Sequence, residues 1–344
     1  MTTPKPKKSS SFRTIVIVAI LTPLVMIGVL AFLSLGAPPN KTRGLLEQGR
    51  AFSAQNRHQE ALAVFDAALN MEPNNAFAWE NKGYALAQLG RNQEALAAYD
   101  KALSIKPTAI AWQNKGYALA RLNRYEEALS AYDKALAIKS NNVTIWMNKA
   151  NALAKLNRHK EALAACEEVL SIEPSNATAW QNKGYSLTRL RRGQEALVAY
   201  DKALSIKPDY AKAWVNKGLT LISVLGRHQE ALAAYDKALS IEPNNAMAWS
   251  SKGLTLATMN RHQEALAAYD KALSIEPNNA MVWSDKGLTL ATMNRHQEAL
   301  AAYDKALSIH PEDPTAWKNK GYALAKLGRE AESKAAFDQY KKYR

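Results

Sequence analysis

From residue 42 onward the chain alternates two apolar stripes with short polar breaks. In the first stripe a tryptophan, a glycine and a leucine fall at i, i+4 and i+7, as Trp79, Gly83 and Leu86 do, which is one face of a helix. A Gly-Arg or Asn-Arg pair stops it. The second stripe sets Ala95, Tyr99 and Ala102 on one face of a predicted helix over residues 93–105, and Pro107 ends it because its ring cannot continue a helix. The next first helix opens behind a residue such as Asn75, whose side chain can cap free backbone N–H groups. Small side chains at Gly83 and Ala95 let the paired helices approach closely, while Trp79 and Tyr99 fill the remaining gaps.

This helix pair recurs. The eight tryptophans, Trp79, Trp112, Trp146, Trp180, Trp214, Trp249, Trp283 and Trp317, are spaced by 33, 34, 34, 34, 35, 34 and 34 residues. The cleanest copies, 246–279 and 280–313, differ at five places: Ala248/Val282, Ser251/Asp285, Glu276/His310, Asn278/Glu312 and Asn279/Asp313. An earlier copy has Leu45 in the tryptophan place but keeps Gly49, Ala61, Phe65, Ala68 and Pro73. Nine repeats follow, at about 42–75, 76–108, 109–142, 143–176, 177–210, 211–245, 246–279, 280–313 and 314–344. The length of 344 residues therefore does not imply two conventional domains, since stacked repeats add length without enlarging one core.

These residues resemble the tetratricopeptide repeat, whose pattern W-x2-L-G-x2-Y is followed by Ala, an aromatic, Ala and Pro over about 34 residues. The resemblance covers residues 42–344. It implies an all-α, right-handed α-solenoid of about nine antiparallel helix pairs, with first helices lining a concave groove and second helices outside. Two departures recur. Lysine precedes the glycine (Lys82, Lys115, Lys217, Lys252), where its stem is expected to pack and its ammonium to reach water, and leucine stands three residues after it (Leu86, Leu256).

Local irregularities stand out against the period. The turn from Pro107 to Trp112 is one residue short, and the sixth repeat has one extra residue near Val224 and Leu225. In the fourth repeat Ala150 replaces the glycine, Asn151 the following Tyr or Leu, and Cys166 the aromatic of the second helix. That repeat is expected to be the least stable interior one. At the carboxy end, Ser333 and the run Asp338, Gln339, Lys341, Lys342 predict a polar cap on the last helix.

Residues 1–13 form a basic segment, and residues 15–35 then run without a charge. At about 1.5 Å per residue those 21 positions match a hydrocarbon core of about 30 Å, so residues 14–35 are expected to form a transmembrane signal-anchor helix, joined by a linker 36–41 to the repeats. A cleaved signal peptide is the alternative, with Ser34-Leu35-Gly36 as a mediocre cleavage site. Four Lys or Arg precede the run and Lys41 and Arg43 follow it, which favours a cytoplasmic amino terminus and repeats on the extracytoplasmic, periplasmic or lumenal, side.

Charge adds little to this picture. The net charge is +14, but residues 1–43 hold six basic residues and no acid, leaving 39 basic against 31 acidic residues, or +8, elsewhere. No concentrated basic face is evident, so no nucleic-acid partner is expected. The single cysteine, Cys166, reads as a small core residue. His58, His228, His262 and His296 share one turn motif and are expected to be exposed and idle. No H-E-x-x-H, P-C-x-x-C, glycine-rich phosphate loop or serine elbow occurs, so neither an enzyme, a metal, a cofactor nor a small-molecule substrate is expected.

The candidate site is a ladder two residues after the tryptophans: Asn81, Asn114, Asn148, Asn182, Asn216 and Asn319. Asparagine carries both a donor and an acceptor, so a row of them could clamp the backbone of an extended peptide. The tetratricopeptide family, including the repeats of the O-linked GlcNAc transferases, uses Asn here in that way. Local hydrogen bonding is the competing reading. Five residues after the tryptophans stand Tyr84, Tyr117, Tyr185 and Tyr322, but Leu219, Leu254 and Leu288, which with Met247 and Met281 could form an apolar groove patch or core. A chaperone-type carboxylate clamp is implied at three of its five places by Asn151, Asn182 and Lys212, with Met147 and Asn216 at the others. The expected function is a membrane-anchored scaffold binding a protein or peptide segment in the groove. A self-associating or structural spacer is the rival.

Overall fold

The computed structural model of the protein describes residues 41–344. Among these lie eighteen α-helices in nine hairpins and no strand. They divide into two compact bodies, one ending at Ser140 and one running Asn141–Arg344. The first holds α1 (Lys41–Ala54) with α2 (His58–Met71), α3 (Ala76–Gln88) with α4 (Asn92–Ile105), and α5 (Ala109–Arg121) with α6 (Tyr125–Ile138). The second holds α7 (Val143–Lys155) with α8 (His159–Ile172), α9 (Ala177–Arg189) with α10 (Gly193–Ile206), and α11 (Ala211–Ser223) with α12 (His228–Ile241). It continues with α13 (Ala246–Thr258) and α14 (His262–Ile275), α15 (Ala280–Thr292) and α16 (His296–Ile309), and α17 (Pro314–Lys326) and α18 (Glu330–Tyr343). The predicted segments 1–13 and 14–35 lie outside the described residues, as does the linker apart from Lys41, which already opens α1. Among the described residues no helix is long and apolar enough to cross a membrane.

Local chemistry sets the helix ends. Asn75 Oδ1 accepts the Ala78 N–H at 2.9 Å, and Asn142, Asn176, Asn245 and Asn279 cap their helices in the same way. Within a hairpin the turn residue takes the left-handed conformation, as Asn260 does at φ 58° and Gly90 at φ 78°. Between hairpins the indole Nε1 of Trp79, Trp180, Trp214, Trp249, Trp283 and Trp317 donates to the carbonyl of the proline six residues earlier. The turn before Trp112 is too short for that bond. There Thr108 caps the Ala111 N–H and its hydroxyl donates to Glu80 Oε2 at 2.8 Å. The extra residue of the sixth repeat widens its hairpin turn. Arg227 N reaches back six residues to Leu221 O, whereas Arg91 N reaches back five to Leu86 O.

Within each body, first helices of successive repeats touch one another, and each second helix packs against its own first helix and the next one. The first helices thus form an inner layer. The aromatic of each second helix fills the space between layers: Tyr99, Tyr132, Tyr200, Tyr235, Tyr269 and Tyr303 are at most 1% exposed, and Phe65 is fully buried. Each ring lies flat against a glycine. A methyl added at Gly253 would meet Tyr269 at 2.7 Å, and one at Gly218 would meet Tyr235 at 2.5 Å. Repeat four changes both partners at once, because Ala150 and Cys166 occupy the two places, each buried. The methyl is tolerated where the ring is gone.

Two expectations are corrected. The lysine before each glycine does more than reach water: at the surface Lys82, Lys217, Lys252, Lys286 and Lys320 pair at 2.6 Å with Asp66, Asp201, Asp236, Asp270 and Asp304 of the preceding second helix. Each ammonium also lies over its own tryptophan, as Lys82 does 5.0 Å from the Trp79 ring, a contact worth about 0.5–1 kcal/mol. The side chain therefore joins consecutive repeats. At the carboxy end, Ser333 is not part of a polar face. It is buried, and its hydroxyl donates to the Gly321 carbonyl at 2.9 Å, because helix α18 still packs against α17 at that point.

Candidate functional site

The second body carries a pocket of about 730 Å³ on its inner layer, between α7, α9, α11 and α13. Its rim holds five residues singled out from the sequence, Asn151, Asn182, Tyr185, Lys212 and Asn216, joined by Met247 and Lys155. Its floor is Ala150, Ala154, Cys166, Gln181 and Ser186. Successive first helices lie side by side, so residues 31 apart in sequence meet: Asn182 Nδ2 donates to Asn151 Oδ1 at 3.1 Å. That bond leaves the Nδ2 donor of Asn151 and the Oδ1 acceptor of Asn182, one of each kind, which is what one peptide unit needs.

The floor is tied down and the rim is positive. Gln181, 1% exposed, accepts from the Tyr210 hydroxyl at 3.3 Å, which fixes α9 to the turn before α11. Two lysines and no carboxylate line the pocket. Burial pushes the Cys166 thiol up to about 12, so it stays protonated and serves as packing, as its sequence position implied. Among the described residues no cluster of His, Cys, Asp and Glu could hold a metal.

The remaining predicted residues are dispersed. Asn81, Tyr84, Asn114 and Tyr117 belong to the first body, with the tyrosines 39% and 43% exposed. Asn81 donates its amide back to Phe77 O at 2.8 Å, so there the local reading holds. Asn148 lies half-buried on α7 away from the pocket, and Asn319 half-buried on α17 in the last repeat. Of the clamp positions, Asn151, Asn182, Lys212 and Asn216 converge on the pocket and Met147 does not line it. The methionine and leucine patch is surface, not core: Met247 is 59% and Met281 74% exposed, and Leu254 and Leu288 are each 49% exposed.

The histidines are not idle surface. His58, His228, His262 and His296 are half-buried, and the His58 ring meets that of Tyr84 on the next first helix edge-on at 6.1 Å. His159, which the sequence reading passed over, is 7% exposed and meets the Tyr185 ring edge-on at 5.9 Å. It thereby positions a rim residue of the pocket. Burial lowers its pKa. Its register, one residue after Arg158 as in every H-Q-E turn, was the available signal.

Asp285 takes the asparagine-ladder place in repeat eight, where burial pushes its carboxyl up to about 6 from 3.8. The folded value lies above the unfolded one, so the folded state holds the proton more tightly and stability falls as pH rises through that window. Asp285→Asn is expected to raise the stability of repeat eight relative to the parent above pH 6 and to leave it unchanged below pH 4. Hydrogen exchange of α15 and α16 at both pH values checks this.

The tetratricopeptide-repeat profile matches residues 46–110, 106–143, 114–177, 147–211, 182–246 and 284–343, and a second profile of that description matches 246–279. No curated protein matches the chain. Among solved structures, a tetratricopeptide repeat protein from Parabacteroides merdae aligns at 18% identity over 72% of this chain and 98% of its own, with a TM-score of 0.58. The Cut9–Hcn1 hetero-tetramer of the APC/C aligns at 17% identity over 81% of this chain and 55% of that one, also at 0.58. YrrB, a repeat protein described as having an unusual peptide-binding site, aligns at 27% identity over 55% of this chain and 97% of its own, at 0.48. With helix hairpins, ring-on-glycine packing and a matching profile over most of its length, the chain belongs to the tetratricopeptide-repeat family.

Proposed function

We propose that the protein is a non-enzymatic scaffold that captures an extended segment of a partner protein on the inner layer of repeats four to seven. The observation that carries this is the Asn182–Asn151 pair at the rim of a pocket that holds Lys155 and Lys212 and no carboxylate. The asparagines take a peptide unit of the partner, and the lysines take an acidic group next to it. That acid is either a side chain or a free carboxy terminus. The convergence of Asn151, Asn182 and Lys212 in one pocket supports the second form.

The test uses the full chain in detergent and peptides selected from a random library. Asn151→Ala with Asn182→Ala is expected to weaken the selected peptides roughly tenfold, since about two hydrogen bonds are lost. Asn81→Ala should change nothing, because Asn81 belongs to the first body and does not line the pocket of repeats four to seven. Equal binding by the parent and the double variant, read by fluorescence anisotropy, would remove the groove from the picture. Amidated and free carboxy termini compared in the same assay separate the two forms of acid.

The scaffold is tethered through residues 14–35 with its repeats on the extracytoplasmic side, a reading supported by the uncharged run 15–35 and its basic flank. A chain lacking residues 1–36 is expected to stay in the supernatant after ultracentrifugation of membranes. Continued sedimentation with lipid would contradict the single tether.

A further inference from the structure

Every repeat but the fourth sets an aromatic ring of its second helix against the glycine of its own first helix. In repeat five the Tyr200 hydroxyl lies 3.3 Å from Thr188 Oγ1, which itself meets Thr220 Oγ1 of the following first helix at 2.7 Å. One period earlier, the places of Tyr200, Thr188 and Thr220 are held by Cys166, Ala154 and Ser186. Those three side chains line the pocket described above. The floor of that pocket is therefore part of the space that a ring fills elsewhere, the rest being taken by the Ala150 methyl, and here it opens onto the inner layer. Ala150 contributes a methyl to one wall, while Ser186, 1% exposed, supplies a hydroxyl at the inner end.

We propose that this ring-shaped space is a recognition slot for one aromatic side chain, phenylalanine or tyrosine, of the captured peptide. The inference rests on the reading of the inner layer as a peptide-binding surface, and it names the residue that surface selects. The partner's ring enters from the groove beside the hydrogen-bonded Asn182–Asn151 pair and lies over the Ala150 methyl, on the inner-layer side of the place that Tyr200 takes in the next repeat. The apolar walls suit a phenyl face, and the Ser186 hydroxyl can meet a phenol. A buried aromatic anchor in a pocket ringed by polar contacts is the arrangement that dominates binding energy in many interfaces.

The variant Ala150→Gly with Cys166→Tyr fills the slot from within by restoring the ring-on-glycine pair of the other repeats, and it leaves Asn151, Asn182 and Lys212 in place. Two measurements on the full chain in detergent are made with it. In the first, 4-fluorophenol is titrated and followed by fluorine NMR. Saturable binding to the parent and loss of roughly thirtyfold or more in the variant are expected. Equal titrations, or none to the parent, overturn the slot. In the second, library peptides selected on the parent are expected to share one aromatic position whose replacement by alanine costs the same factor, and that cost should vanish in the variant. Peptides without an aromatic preference overturn the slot while leaving the groove reading intact. If no peptide is captured but 4-fluorophenol still distinguishes the two proteins, the ring-binding space is real and its role as a peptide slot falls with the groove reading.

Discussion

Gly253→Val is expected to destabilise repeat seven by about 3 kcal/mol or more. A single added carbon would already stand 2.7 Å from the ring of Tyr269, which is fully buried between two layers of helix. Valine adds two further methyls in a space packed to crystal-like density, so either the tyrosine leaves its rotamer or the hairpin opens. The small gain in helix propensity over glycine does not offset this. Gly44→Ala is the control. Nothing lies within 4 Å of a methyl there, and the helix should gain up to about 1 kcal/mol. Hydrogen exchange resolves the two effects by repeat, which a single melting curve of a repeat array cannot. Protection of α13 and α14 equal to the parent in Gly253→Val would show that the ring has room to move.

The second large effect is a coupling. Cys166→Tyr alone should destabilise repeat four by about 1–3 kcal/mol, since the new ring meets the Ala150 methyl at the place where other repeats have none. Ala150→Gly alone should cost about 1 kcal/mol through helix propensity. Together they recreate the arrangement of Gly184 with Tyr200, and the double variant should be more stable than either single one. The interaction energy is expected near the upper end of the usual range for neighbouring residues, about 3 kcal/mol. Exchange protection of α7 and α8 in the four proteins of the cycle measures it. Additivity within about 0.5 kcal/mol would mean that the two sites do not share one space.

The hairpins were legible because their signals are local. Trp79, Gly83 and Leu86 mark a helix face, Asn75 caps it, and Gly90 turns the chain, all within one repeat. The departures of repeat four were legible too, as was the gathering of Asn151, Asn182 and Lys212. What escaped lies between repeats. Lys82 finds Asp66 sixteen residues back on a neighbouring helix, and nothing in its own repeat announces that partner. The asparagine ladder has one register but no single fate. Asn81 bonds its own helix while Asn182 reaches across to Asn151, and the difference is the side chain offered by the preceding repeat. The pocket needs a missing ring in one second helix and the walls of later first helices. No stripe within a single repeat contains both.

The lysine that joins each repeat to the one before has a consequence for how such a chain can change. Lys252 with Asp236, Lys286 with Asp270 and Lys320 with Asp304 make the same joint, over the same tryptophan, whichever copies are adjacent. Removing 280–313 would bring Asp270 to Lys320 and remake the joint unaltered, while the walls at residues 150–216 stay untouched. Reach and recognition are thus separate properties of this molecule. Copy eight sets how far it extends, and selection can lengthen or shorten the chain there without renegotiating what it holds.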